Sequence, residues 1–383
     1  MDKKIRVGLL GIGGRARHFA DLVRKYPLTE LAGVCDNDPL AMARSVEEKN
    51  LQDIPQYTDY ATMLKEAGLD LVFVCTPMKY HCEHVIMALD MDINCVGEVP
   101  VAATIEQSRE MVKAVKRSKA KYFFAENMCY AKSMILIREM VKAGLLGNVH
   151  YAEGEYIHDL KKLSEFTPWR YDELFGVNGI TYGTHSLGPI LSWFDFDRIK
   201  KVSCVGSGNY FHKPDGTPFK MHNSVIMMGI TEKDRLIKIR NDFADPRPSI
   251  NEYILQGDKG AFESRRGIPE TKDWIWIQDY VGTTEERYRN SHDSADTWMD
   301  LSIFENRYFP QKFKEWVWYA KTYGGHEGAD AFMFVDIVDA VANGLDPFID
   351  IHRGLDMTLP GLYSTISINN GGEWVEVPDS RKW

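Results

Sequence analysis

Residues 5–16 read IRVGLLGIGGRA. A short apolar run, Ile5 to Leu10, meets the turn Gly11-Ile12-Gly13-Gly14-Arg15-Ala16, a G-x-G-x-x-A, and a helix-like stretch runs from Ala16 to Lys25. Strand, glycine turn and helix in that order open a dinucleotide-binding βαβ unit. Gly11 allows the tight turn, Gly13 lets the backbone approach a pyrophosphate at a helix N-terminus, and small Ala16 lets helix and strand pack closely. The next strand-like run, ELAGVC at 30–35, ends at Asp36, 20 residues after Ala16. A carboxylate there accepts from a ribose 2′-hydroxyl and repels a 2′-phosphate, so the pattern predicts NAD. Gly11, Ile12, Gly13, Gly14 and Asp36 are the expected cofactor contacts, with Arg15 reaching a phosphate.

Moving outward, DLVFVC (70–75) is an almost wholly apolar strand, as expected where both faces of a sheet are covered. A helix at 80–90, a strand at 93–96, a helix at 104–118 and a strand at 121–125 follow. Strands alternating with helices predict a doubly wound parallel sheet, a Rossmann domain over residues 1–127. Thr76-Pro77 falls on the C-terminal edge of that sheet, where ligands lie. So does GEVPVA (97–102), whose middle residue, Val99, cannot move a proton. Beyond Asn127 the texture changes. A helix at 132–143 precedes longer strands at 148–158, 199–210, 222–231, 235–243 and 251–256, divided by turns such as PDGTP (214–218). These predict an α+β domain over 128–383 with a large, mostly antiparallel sheet and a last helix at 328–342.

The bulk numbers narrow the class. The chain has 383 residues, 44% hydrophobic and 26% charged, with a net charge of −9. No basic stripe stands out, which argues against nucleic acid and anionic membranes as partners. No segment approaches the ~18 apolar residues of a membrane span. The six cysteines form no C-x-x-C pair, and MDKKIRVGLLGIGG lacks a signal-like apolar core, so free thiols in the cytoplasm are expected. His81-Cys82-Glu83-His84 has metal-like composition, but no second ligand group recurs at zinc spacing, so no metal is expected. Trp274, Trp276, Tyr280, Tyr288 and Trp298 form an aromatic stretch, read as loop packing or an aglycone subsite.

G-x-G-x-x-A, Asp36, Thr76-Pro77, Glu98-x-Pro100 and the antiparallel second domain together resemble the Gfo/Idh/MocA oxidoreductases over essentially the whole chain. That family implies an open second-domain sheet often used to form dimers or tetramers, so a homo-oligomer is expected. Its dehydrogenases carry Glu-Lys-Pro and an Asp-x-x-x-His; here Val99 replaces the lysine and Thr181 replaces the aspartate before His185. A narrower branch is similar in several segments: the NAD-dependent glycosidases of glycoside hydrolase family 109, which include α-N-acetylgalactosaminidases. They too have Glu-Val-Pro. AENMCYAKSMILIREMVKAGLLGNVHYAEGEYIHDL (125–160), GITYGTHSLGPI (179–190), NDFADPRPSINEYILQGDKGAF (241–262) and GGHEGADAF (324–332) resemble their segments, with Gly183 and Ser249 departing from the pattern.

The resemblance implies a glycosidase in which sugar C3 is transiently oxidised, the C2 proton is removed, the aglycone leaves, water adds and C3 is reduced again, with NAD retained. Glu98 and Asn127 are then ribose and nicotinamide contacts, joined at the cofactor by Thr76, Pro77 and His81. Trp169 and Arg170 cover the nicotinamide or hold a hydroxyl. His185 is the expected proton carrier, because a histidine both accepts and donates near neutrality. Tyr182 or Tyr156 is the C2 base and His326 the leaving-group acid. His158, Asp159 and Tyr130 are expected at the glycoside. The alternatives are a sugar dehydrogenase turning over free NAD and a non-catalytic sugar or nucleotide sensor.

Overall fold

The computed structural model describes residues 4–267, 271–278, 280 and 298–383. The chain divides into two compact units. One comprises Met1–Tyr130, Trp316–Thr358 and Asp379–Trp383; the other comprises Ala131–Glu315 and Leu359–Pro378.

The sheet of the first unit contains, among the described residues, β1 (Ile5–Leu10), β2 (Thr29–Cys35), β3 (Gln56–Tyr57), β4 (Leu71–Val74), β5 (Asn94–Gly97) and β6 (Tyr122–Phe124). They run parallel in the order β3-β2-β1-β4-β5-β6, so the strand order reverses between β1 and β4. All four residues of β4 are buried, as its apolar run requires of a strand covered on both faces. Phe19 of helix Arg17–Lys25 packs its ring 4.7 Å from Phe73 on β4. Local chemistry sets the helix starts. Asp38 accepts from the Leu40 and Ala41 amides ahead of Pro39–Glu48, and Thr104 accepts from Gln107 ahead of Ile105–Arg117.

Within the span expected as the second domain, residues 316–358 fold with the first unit. Helix Ala329–Asn343 is apolar on most of its circumference, so its pattern does not announce which core it enters. In the structure Phe334 packs edge-on against Tyr26 at 5.6 Å, and the Tyr319 hydroxyl donates to the Leu22 carbonyl at 2.5 Å.

The second unit is built on a sheet of β7 (Val149–Ile157), β8 (Ile199–Gly206), β9 (Ser224–Thr231), β10 (Leu236–Asp242), β11 (Ile250–Gly257), β12 (Gly260–Glu263), β13 (Trp274–Ile277), β14 (Met299–Asp300) and β15 (Val375–Glu376). The order is β14-β13-β12-β11-β7-β10-β9-β8-β15, antiparallel except for the parallel pair β7 and β10. Burial alternates along β9 and β10, the signature of a sheet with one covered face. Helix Thr184–Trp193 lies on that face. It approaches so closely that a Cβ on Gly154 would stand 2.8 Å from the Ser186 carbonyl. The opposite face carries cross-strand ion pairs, Lys238 with Glu153 and Arg240 with Glu155 at 3.4 Å. Helix Ile351–Asn369 was not anticipated, because Pro360 within it reads as a breaker.

Candidate functional site

The C-terminal edge of the parallel sheet carries the nucleotide fingerprint. Gly11 sits at φ 83°, and a Cβ there would lie 2.6 Å from the Cys75 carbonyl oxygen, so the turn tolerates only glycine. Gly13 is needed for a reason the motif did not suggest: its missing Cβ makes room for Ala41, whose own Cβ would be 2.6 Å away. Its amide donates to Asp36 Oδ2 at 2.8 Å, while the Asp38 amide donates to Oδ1 at 3.0 Å. Each carboxylate oxygen keeps a second lone-pair direction for a ribose hydroxyl. The outer side of Gly14 is open, with no atom closer than 3.9 Å to an added Cβ. Ile12 is buried and donates from its amide to the Cys35 carbonyl, so it anchors the turn through its backbone. We predict that Asp36→Ser weakens NAD binding about tenfold, the worth of a charge-assisted hydrogen bond, and relaxes rejection of NADP; titration with both nucleotides checks it.

His81 is a brace at this edge. It is buried, with Nδ1 2.9 Å from the Pro100 carbonyl and Nε2 2.7 Å from the Thr76 carbonyl. It therefore ties the loop after β4, which carries Thr76-Pro77, to the loop after β5. The His84 Nδ1 atom lies 3.1 Å from Thr76 Oγ1. Both histidines are thus engaged by the backbone and side chain of the Thr76 loop.

Asp330, which had no role in the sequence reading, is the hub of the site. Arg15 donates to both of its oxygens at 2.6 and 2.8 Å and to Glu98 through Nε at 2.8 Å. Asn127 Nδ2 donates to Asp330 Oδ1 at 2.8 Å, and His326 Nδ1 lies 3.0 Å from Oδ2. Burial alone would raise the Asp330 carboxyl, but hydrogen bonds from Arg15 and His326 override it and hold the group well below the carboxylate range. Burial also opposes the Arg15 charge, but Glu98 and Asp330 outweigh it and hold the guanidinium fully protonated. Arg15, expected on a phosphate, is therefore committed to two carboxylates. Asn127 is buried with Oδ1 unpartnered among the described residues, an acceptor still in need of a donor. The advance signal for Asp330 was its place in GGHEGADAF (324–332), the segment that resembles a His-x-Gly-x-Asp pattern of family 109. The glycine cradle, the bifunctional Asp36 and the unpartnered Asn127 oxygen fit NAD.

The second unit gathers a separate group of proton-carrying side chains. Tyr156, near the end of β7, places its hydroxyl 3.0 Å from His158 Nδ1. Its ring lies 5.2 Å from His185, edge to face, and 6.4 Å from Tyr182. His185 lies 5.5 Å from Tyr182, also edge to face. Phe243 backs both tyrosines. The backbone of this group is pinned: Tyr253 donates its hydroxyl to the His185 carbonyl at 2.6 Å, and Asn241 donates to the Tyr182 carbonyl at 3.2 Å. Arg170 lies over the Trp169 ring at 4.2 Å. Burial lowers the Arg170 pKa, an effect offset in part by Tyr182 and Tyr156, so its charge is felt by both phenols. Thr181, standing before His185, is buried with its hydroxyl unpartnered among the described residues.

Two expected site residues sit in the first unit. Tyr130, expected at the glycoside, is interior to the first unit: its hydroxyl donates to Asp336 at 2.8 Å and its ring meets Phe348 edge-on. The sequence could not separate this buried phenol from a site phenol, because Asp336 lies 206 residues away. His326, expected in the second domain, belongs to the first unit beside Asp330. Asp159 is held by Lys161, with Nζ 2.9 Å from Oδ1. Tyr288 lies outside the described residues. Among the described residues no helix is long and apolar enough to cross a membrane.

Comparison with known proteins divides the chain between residues 126 and 130. Residues 5–126 match the oxidoreductase family with an NAD-binding Rossmann fold, GFO/IDH/MocA, and residues 130–383 match the glycosyl hydrolase 109 C-terminal domain. A glycosyl hydrolase family 109 protein of Saccharopolyspora erythraea is 26% identical over 404 residues, spanning 98% of this chain and 83% of that protein. An alpha-N-acetylgalactosaminidase of Shewanella oneidensis is 25% identical over 402 residues, spanning 98% and 84%. Levoglucosan dehydrogenase in complex with NADH and levoglucosan shares the fold, with a TM-score of 0.77 at 17% identity over 98% of this chain and 100% of that one. The first unit is an NAD-binding Rossmann domain, the protein is an NAD-dependent glycosidase or sugar oxidoreductase, and the chain belongs to glycosyl hydrolase family 109.

Proposed function

We propose that this enzyme hydrolyses a glycoside by a redox-neutral cycle, in which C3 is oxidised, C2 is deprotonated, the aglycone leaves C1, water adds and C3 is reduced again. What supports this reading is the grouping of Tyr156, His158, Tyr182 and His185 in the second unit. It is reinforced by Val99, apolar and buried between Glu98 and Pro100, which leaves proton transfer to other residues. Bound NAD supplies the hydride exchange at C3.

The remaining work falls to the chain. His185 takes the 3-hydroxyl proton as the ketone forms and returns it on re-reduction. The ketone makes the C2–H acidic, and Tyr156, whose hydroxyl is hydrogen-bonded to His158, removes it. Arg170 supplies the counter-charge that a tyrosine needs to give up its proton. The C1–O bond then breaks. His326, with Nδ1 held by Asp330, offers Nε2 to the departing oxygen. Water adds across C1 and C2, its hydroxyl to C1 and a proton to C2. The substrate is a glycoside with a free 3-hydroxyl and a hydrogen on C2.

The test is aglycone release from a panel of p-nitrophenyl glycosides in D₂O. The expected result is release without net NADH, and deuterium at C2 of the sugar product. Release without C2 label would sink the cycle; steady NADH accumulation would identify a dehydrogenase.

A further inference from the structure

The charged group around Asp330 does more than brace a loop. The strand order reverses between β1 and β4, and a dinucleotide bound at such a crossover extends along the C-terminal strand ends. Asp36, after β2, marks the adenosine end. The opposite end therefore runs along the loops after β4, β5 and β6, which carry Thr76, Glu98 and Asn127. Glu98 and Asn127 both belong to the Asp330 hydrogen-bonded group, Glu98 through Arg15 and Asn127 directly.

Apart from the His326 imidazole, which joins it at Asp330, that group holds one cation, Arg15, and two carboxylates, Glu98 and Asp330, a sum of one negative charge over those three. The Asp330 and Arg15 charges are permanent. Asp330 stays ionised throughout the neutral range, and Arg15 is held protonated. His18 also feels Arg15 and Asp330, but burial and Arg15 push it below its ordinary value, so it adds no positive charge near neutrality. The Asp330 and Glu98 side chains are only 2% and 12% exposed, so water screens the group poorly. Asp330 also orients the Asn127 amide: it accepts from Nδ2, which leaves Oδ1 as a buried acceptor without a partner among the described residues. The turn that delivers Asp330 is strained, with His326, Glu327 and Gly328 at φ 50°, 57° and 97° in succession. Strain of this kind persists only where the surroundings over-determine it, and here the His326 ring and the Gly325 backbone both close on Asp330.

The oxidised nicotinamide ring carries a positive charge and the reduced ring none. We propose that Asp330 is a positioning residue that sets the charge at the nicotinamide end of the site, so that the protein holds NAD⁺ more tightly than NADH. The inference rests on the nucleotide site alone and not on the glycosidase reading, since no sugar enters it. For an enzyme whose cycle begins from the oxidised cofactor, such a bias keeps the resting state loaded for the first hydride transfer.

The test equilibrates the purified protein with defined mixtures of NAD⁺ and NADH at pH 8, above the ordinary histidine range. Free nucleotide is removed and the bound ratio is read from the absorbance of the reduced ring. The wild-type protein is expected to enrich NAD⁺ over the mixture. Asp330→Asn is expected to move the bound ratio about tenfold toward NADH, equivalent to ~30 mV for a two-electron couple. Asp330→Glu, which keeps the charge, should stay near wild type. Arg15→Gln, which removes the cation, should move the ratio the other way, toward NAD⁺. A merely structural role would lower the affinity for both nucleotides and leave the ratio unmoved. The proposal is overturned if the wild-type protein enriches NADH, if Asp330→Asn and Arg15→Gln shift the ratio in the same direction or not at all, or if Asp330→Glu behaves like Asp330→Asn. Should Asp330→Asn fail to fold, the wild-type enrichment and the sign of the Arg15→Gln shift decide the matter.

Discussion

His185→Ala is expected to lower glycoside turnover by about two orders of magnitude or more, the usual loss when an acid–base group is removed, with the content of bound NAD unchanged. The substitution is clean for structural reasons. His185 lies in the first turn of helix Thr184–Trp193, and what pins it there is the Tyr253 hydroxyl on its carbonyl, a contact that alanine retains. What is lost is the imidazole between Tyr156 and Tyr182. Trp169 and Arg170 apart, the nucleotide contacts expected above lie on the first unit, so a fall in NAD content would point to misfolding. Turnover of p-nitrophenyl glycosides, read beside NAD content and thermal unfolding, separates these outcomes. Near-normal turnover would remove His185 from the mechanism.

Gly11→Val should abolish NAD binding, with at least a hundredfold loss of affinity, and should destabilise the first unit. Two costs combine. A β-branched residue at φ 83° is strained by about 1–3 kcal/mol. Its Cβ also meets the Cys75 carbonyl at 2.6 Å, and that atom is backbone in a parallel strand edge, so it cannot swing aside. Either the turn opens or β1 and the loop after β4 move apart, and both spoil the surface on which the pyrophosphate rests. Nucleotide titration and chemical denaturation read the two effects separately. Retained NAD affinity would show that the turn is not the binding element.

Much of the Rossmann unit was legible in the chain because its signals are local. A strand, a glycine turn and a helix lie within residues 5–25, Asp36 follows at a fixed interval, and an all-apolar strand such as Leu71–Val74 states that both its faces are covered. The long strands of the second sheet were likewise readable from their length and the turns between them, and Tyr156, Tyr182 and His185 were singled out through their segments' likeness to family 109. The purposes of Arg15 and Tyr130 were not readable. Each side chain is spent on a carboxylate more than 200 residues away, Asp330 for Arg15 and Asp336 for Tyr130. Nor could the sequence assign residues 316–358 to the first unit, since a helix buried nearly all round carries no directional stripe. By itself, then, the sequence determined most of the elements, the nucleotide and the family, because those depend on short-range pattern. Only the tertiary structure decided where the charges are neutralised, because an ion pair is set by distance in space and not by distance along the chain.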